Sequence, residues 1–306
     1  MPNLYAFGAQ AINYYSKCGI CASTDLTTFA PVSAPDLPYT HLLSATRSPD
    51  GTWCMTTNSG GAVRTEDLTN YYAYDLNNKQ WQFNKVLYST QFVAVGYSRT
   101  TQNQEQAMLF ISGNAFDEYS WQARYAVFDT YSAFTDVCDT TPGTMVAVGH
   151  ANQLQTSLLI AGSVPSTWQQ IELPQNMQGG LWSVSSDLTH IWVGGRGWIA
   201  TAPVTNLTNW IRIELGVSDA VTHILNSNGI TVAVAGDKMF YSQNGVDYTH
   251  IQMPGHQLTS AHAFGGKIIV GGHSMLTQSD MWVFDPVSKQ VEPKKTGVHA
   301  YSFVTV

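Results

Sequence analysis

Charge is scarce in this 306-residue sequence: Asp, Glu, Lys and Arg together make up 11%, less than half the usual quarter. Fourteen Lys and Arg stand against twenty-one Asp and Glu, a net charge of −7. With no basic excess there are no counterions to release, which argues against partnership with nucleic acid or an anionic membrane surface. Cysteine is rarer still, at four, too few for a disulfide scaffold. No apolar run approaches the ~20 residues of a membrane span. Met1 to Gly8 lack the basic stretch and apolar core of a signal peptide. The expectation is a chain without leader or membrane insertion, and cytoplasmic if cellular. No long stripe of 3.6-residue period occurs either, so helix bundles are excluded.

What is present is a core-forming composition, with 44% hydrophobic and 12% aromatic residues, which excludes disorder. Short runs rich in Val, Ile, Tyr and Trp, such as IWVGG at 191–195, ITVAVAG at 230–236 and KIIVGG at 267–272, are bounded by Gly, Asn, Asp and Pro. That is the strand-and-turn signature. The runs also repeat. THLLSA, QFVAVG, TMVAVG, GLWSVS, THILNS, AHAFGG and VHAYSF share one pattern, with His41, Phe92, Met145, Leu181, His223, His262 and His299 at its second place. The spacings are 51, 53, 36, 42, 39 and 37, and the wrap from His299 round to His41 is 48, so seven units account for all 306 residues.

A second series closes the units. Ser23-Thr-Asp25-Leu-Thr-Thr-Phe29, Val204-Thr-Asn206-Leu-Thr-Asn-Trp210 and Ser242-Gln-Asn244-Gly-Val-Asp-Tyr248 place an aromatic four residues after Asp or Asn. Such a side chain accepts a backbone N–H two residues on and fixes a tight turn. Asp285-Pro-Val-Ser-Lys-Gln-Val291 is a looser version. These units resemble the Asp-box repeats of sialidase-type propellers, and IVGGHSMLTQSDMWVFDPVSKQV at 269–291 resembles a kelch repeat. Both resemblances imply a β-propeller.

The fold expected is all-β, a seven-bladed β-propeller forming one domain over 1–306. Its blades would span 1–38 plus 297–306, 39–88, 89–141, 142–177, 178–217, 218–256 and 257–296. The last strand, 299–306, would pair with the N-terminal blade and close the ring, removing both open edges. A pair of sandwiches or an open barrel is the competing architecture. The unit at 144–175 departs from the pattern, and a strand there would be short or missing.

If each unit opens with its innermost strand, His41, His223, His262 and His299 form an arc at one channel mouth. Such an arc suits a metal, an anion or a charge switch. The alternative is that each histidine donates a hydrogen bond to the neighbouring blade's backbone, and since no carboxylate recurs beside them, no metal and no cofactor is expected. Cys18-Gly-Ile-Cys21 lacks the second pair zinc would need, and reads as buried strand thiols. Six arginines (Arg47, Arg64, Arg99, Arg124, Arg196, Arg212) share no blade position. That speaks against sialidase chemistry, which needs an arginine cluster, and no catalytic residue is expected. The glycines of Gly194-Gly195-Arg196-Gly197 and Gly265-Gly266 read as turns, because no helix follows to hold a phosphate. Trp53, Trp121, Trp182, Trp192 and Trp198 suit either blade packing or sugar stacking, and the inserts at 100–105 and 115–119 are the better surface candidates.

Few lysines, strands rich in Thr, Asn and Gln, and little beyond the repeat resemble virion or tail propellers of bacteriophages. That resemblance implies a non-catalytic docking component whose partners are other protein subunits or a host-surface protein or glycan. A glycan-binding or glycan-cleaving, sialidase-like propeller reading a host surface and a cytoplasmic kelch-like adaptor holding a peptide beside the histidines are the alternatives.

Overall fold

The computed structural model describes residues 3–12, 15–32, 41–58, 60–76, 79–99, 104–127, 131–164, 167–273 and 281–306. Among them are 28 strands in seven antiparallel sheets of four. Blade 1 joins the three N-terminal strands to the C-terminal His299–Thr305, which pairs with Leu4–Ile12 from Leu4↔Thr305 onward. The ring is closed inside a sheet. The innermost strands of blades 2 to 7 are Leu42–Arg47, Trp81–Tyr88, Ala133–Thr141, Ser183–Ser186, Val221–Ser227 and Gln257–Phe264. Blade 4, where a strand was in doubt, keeps a four-residue outer strand, Thr167–Gln170.

The core is divided into seven clusters, one at each junction between blades. Alternation within single strands builds them. In blade 4, Met145 and Ala147 face blade 3, whereas Val146 and Val148 face blade 5. A second strand is thus buried on both sides, and Phe92, Val93, Ala94 and Val95 are each at most 1% exposed.

This double burial explains a correction to the blade boundaries. The runs at Phe92 and Met145 open second strands, Phe92–Arg99 and Thr144–Ala151, not innermost ones. Trp81–Tyr88 therefore belongs to blade 3 and Ala133–Thr141 to blade 4, one strand earlier than the spacing places them. Continuous apolar runs mark the doubly covered strand, while the true inner strands there carry polar Asn84-Lys85 and Thr135-Asp136.

Inner strands are also bulged near their start. The register slips at Leu42/Ser44, Phe83/Lys85, Phe134/Asp136, Val221/His223 and Leu258/Ser260, and opposite Phe7/Gly8 in blade 1. Opposite several bulges stands a glycine in extended backbone, because the carbonyl two residues before the bulged one presses where a Cβ would lie. A Cβ on Gly149 would sit 2.0 Å from Ala133 O, and one on Gly96 1.9 Å from Gln82 O. Gly149→Ala is expected to cost about 3 kcal/mol by overpacking, read from urea midpoints. Gly113→Ala, with nothing within 4 Å of its Cβ, is the neutral control. Equal midpoints for the two would refute the close-approach account.

Candidate functional site: the channel and its histidines

The residue just after each bulge points a polar group at the next blade. Ser44 Oγ meets Val86 N and O at 3.2 Å each. Lys85 Nζ lies 3.7 Å from Asp136 Oδ1, and Asp136 Oδ2 accepts Val184 N–H at 3.0 Å. Ser183 Oγ donates to Val221 O at 2.7 Å, His223 hydrogen-bonds the backbone of Ala261, and Ser260 Oγ donates to Ala300 O at 3.0 Å. Ser302 Oγ accepts Ala45 N–H at 3.2 Å and completes the circuit. A second tier runs beside it through Asn84, Thr135, Thr222 and Thr259, each reaching a carbonyl of the following blade at 2.8–3.1 Å. Around the channel the polar side chains form a belt.

The four histidines do not form one arc. His223 stands in the belt itself, and His262 lies two residues beyond Ser260, its Nε2 2.8 Å from Thr305 Oγ1 of blade 1. Both line a channel cavity of about 260 Å³ with Lys85 and Asp136. His41 and His299 precede their bulges and sit at the entrance. His41 packs on Tyr301 with ring centroids 5.7 Å apart, and His299 faces His273 at 6.5 Å. Matching the histidines by sequence ignored the bulge, which sets the level of each side chain. A hydrogen bond to the next blade's backbone is made by His223, whereas His262 meets the Thr305 hydroxyl.

Desolvation, with Lys85 nearby, brings the pKa of His223 down to about 3 and that of His262 to about 4. Burial also lowers His41 and His273, reinforced by their neighbouring imidazoles. For Asp136, burial raises the carboxyl above its usual value, and Lys85 and two backbone N–H groups only partly offset this. The channel lining is thus neutral histidine around one ion pair. Among the described residues, no three His, Cys, Asp or Glu side chains gather closely enough to hold a metal ion. Lys85 and Asp136 are the channel groups that sequence reasoning missed, and their signal was a polar–charged pair, Asn84-Lys85 and Thr135-Asp136, just ahead of each continuous apolar run.

Cys18 and Cys21 lie three apart on one strand and point to opposite sides, Cys18 into the core between blades 1 and 2, Cys21 into that between 7 and 1. Burial raises the Cys18 thiol to about 12. Arg64, Arg99 and Arg212 pair with Glu66, Glu105 and Glu214, one to each blade. Gly197, Gly265 and Gly266 have the positive φ of turn residues, whereas Gly194 is held by close contact with Ser183 and Val221. Trp53, Trp121 and Trp198 pack between blades, Trp182 is half-buried, and Trp192 walls a groove between blades 5 and 6. The turn chemistry anticipated at Asp25, Asn206, Asn244 and Asp285 is present, each accepting the N–H two residues on at 2.8–3.2 Å. Residues 100–103 of one insert and 274–280 of the kelch-like stretch lie outside the described residues.

No family model and no curated protein matches the chain, so neither the kelch nor the Asp-box family is assigned to it. Solved structures do match. A Lactobacillus plantarum protein is similar over 100% of both chains at 9% identity and a TM-score of 0.69. The Pseudomonas aeruginosa periplasmic gluconolactonase covers 100% of this chain and 99% of its own at 9% identity and 0.70. YCF48 bound to D1 peptide covers 88% and 86% at 12% identity and 0.60. At such identities the likeness concerns fold, and these fold-mates include both an enzyme and a peptide-bound protein. The chain is a seven-bladed β-propeller closed by its C-terminal strand.

Proposed function

We propose that the chain is a non-catalytic docking component of a larger protein assembly, with a virion or tail structure as the setting its composition suits. The observation that carries this is an exposed aromatic patch across blades 2 and 3. Tyr119, Tyr72 and Phe116 are 73%, 57% and 55% exposed. Arg64 lies 5.3 Å from the Phe116 ring centroid and Lys79 4.6 Å from that of Tyr119. Aromatics and arginine are what protein interfaces use as anchors. The channel groups that would serve catalysis are instead engaged between blades. YCF48, a fold-mate with a peptide bound, is a precedent for docking on this architecture.

Sedimentation of the native protein, with cross-linking, tests the proposal. The expected result is migration within a large particle, with cross-links from Lys79 to another subunit. Phe116→Ala/Tyr119→Ala should weaken that association at least tenfold, as loss of anchor residues does. Migration as a free chain at native concentration would overturn the reading.

A further inference from the structure

The belt uses up acceptors and leaves donors facing the channel. Both oxygens of buried Asp136 are engaged, Oδ1 with Val137 N–H at 2.9 Å and with the Lys85 ammonium, Oδ2 with Val184 N–H at 3.0 Å. Lys85 is held differently. Its contact with Asp136, at 3.7 Å, is too long for a hydrogen bond. Its side chain is 26% exposed and lines the channel cavity of about 260 Å³. The ammonium thus meets the cavity with N–H groups to give, while the carboxylate is turned into the wall.

Two half-buried hydroxyls line the same cavity. Thr46 Oγ1 already accepts Tyr88 N–H at 3.0 Å, so its own O–H is left to donate. Ser185 follows Val184, whose N–H binds the far oxygen of Asp136, and its hydroxyl makes no hydrogen bond among the described residues. His223 and His262 both feel the Lys85 charge, and each commits one ring nitrogen to a neighbouring blade. Leu87 and Leu225, two residues beyond Lys85 and His223, supply half-buried apolar wall. The volume falls below the ~300 Å³ at which pockets for drug-sized ligands begin, so an occupant is small. One outward-facing cation, hydroxyl donors and an aliphatic wall suit a single negative charge with an apolar end.

We propose that the channel cavity binds a small aliphatic monocarboxylate, its carboxylate paired with Lys85 and hydrogen-bonded by Ser185, its short tail packed on Leu87 and Leu225. A carboxylate accepts from an ammonium and a hydroxyl at once, and such charge-assisted bonds are the strong ones. An inorganic anion would leave the leucine wall facing water. This site goes beyond the docking role proposed above and does not depend on the patch of blades 2 and 3.

The test is saturation-transfer NMR with butyrate as the probe, compared with its uncharged isostere butyramide, chloride and phosphate at constant ionic strength. Butyrate is expected to bind saturably with a Kd of about 1 mM, the scale open to so small a ligand. Butyramide should bind about tenfold more weakly, having lost a hydrogen bond between charged groups. Ser185→Ala should weaken butyrate by about the same factor. Ser185→Asp sets a second negative charge in the cavity while leaving the ion pair intact, and should abolish binding. Lys85→Met/Asp136→Leu should abolish it too, with melting curves to show that each variant is folded. No saturable butyrate signal would overturn the proposal, as would butyrate binding unchanged by Ser185→Asp. Equal binding of butyramide would overturn it by showing that the site reads the tail and not the charge. Displacement of butyrate by equal chloride or phosphate would overturn it in favour of an inorganic anion.

Discussion

Replacing Asp136 by alanine is expected to destabilise the protein by about 3–5 kcal/mol, the cost of breaking a buried pair by removing one partner. Asp136 is 5% exposed and holds three groups at once: Val137 N–H at 2.9 Å, Val184 N–H at 3.0 Å, and Lys85 Nζ at 3.7 Å. Alanine leaves the Lys85 ammonium in the channel beside His223 and His262 with no counter-charge, and leaves a buried N–H of blade 5 unmet. Asp136→Asn, which keeps an acceptor oxygen, should lose less. The double replacement Lys85→Met/Asp136→Leu should recover much of the loss, because a buried ion pair and an apolar pair of similar volume are often equivalent. Urea unfolding of the four proteins reads the series. A loss below ~1 kcal/mol for Asp136→Ala, the level of an exposed ion pair, would show that the belt contributes little.

Acid should weaken the fold well above the usual carboxylate range. His223 and His262 have folded pKa values of about 3 and about 4, against about 6.5 in an unfolded chain. Below pH 6.5 the unfolded state takes up protons that the native state refuses, so stability falls as pH falls. The loss levels off once the native imidazoles titrate, near pH 3–4. Between pH 7.5 and 4.5 the pair should cost about 2–4 kcal/mol, after discounting for channel water, since both rings are half-buried. His41, His150 and His273 act in the same direction. Asp136 acts in the opposite one: its raised pKa lets the native state bind a proton first, which lends stability as pH drops toward 4. Denaturant midpoints at the two pH values, for the parent and for His223→Gln/His262→Gln, isolate the effect. A parent and variant that lose equal stability would remove these histidines as its source.

The ring and its closure were legible in the sequence because they recur. Seven units at a period near forty leave few architectures, and 299–306 had one free edge to join. The blade frame was legible only in part. At Phe92 and Met145 the strongest apolar pattern belongs to a strand covered on both sides, and periodicity follows burial, not distance from the channel axis. The histidines were found as residues but not as a constellation, because His223 is the first residue after its bulge and His262 the third after its own, so the two stand at different levels. The channel cavity was the least legible. Lys85 and Ser185 lie on different blades, and what distinguishes them is the space they share, which no local pattern encodes.

The belt, taken with the closed ring, changes how this molecule can come apart. Linear repeat arrays behave as nearly independent units and fray from their terminal repeats, each of which has a single neighbour. Here every blade has two neighbours, and the covalent gap falls inside blade 1, spanned by the ladder from Leu4↔Thr305 to Ala9↔His299. No blade is first to melt. Releasing any one opens two apolar junctions and breaks belt bonds on both sides, so partial opening is steeply penalised relative to complete unfolding. The seven blades should behave as one cooperative unit, and local mobility is left to the peripheral turns. Binding surfaces carried on those turns can then adapt to a partner without transmitting strain around the ring.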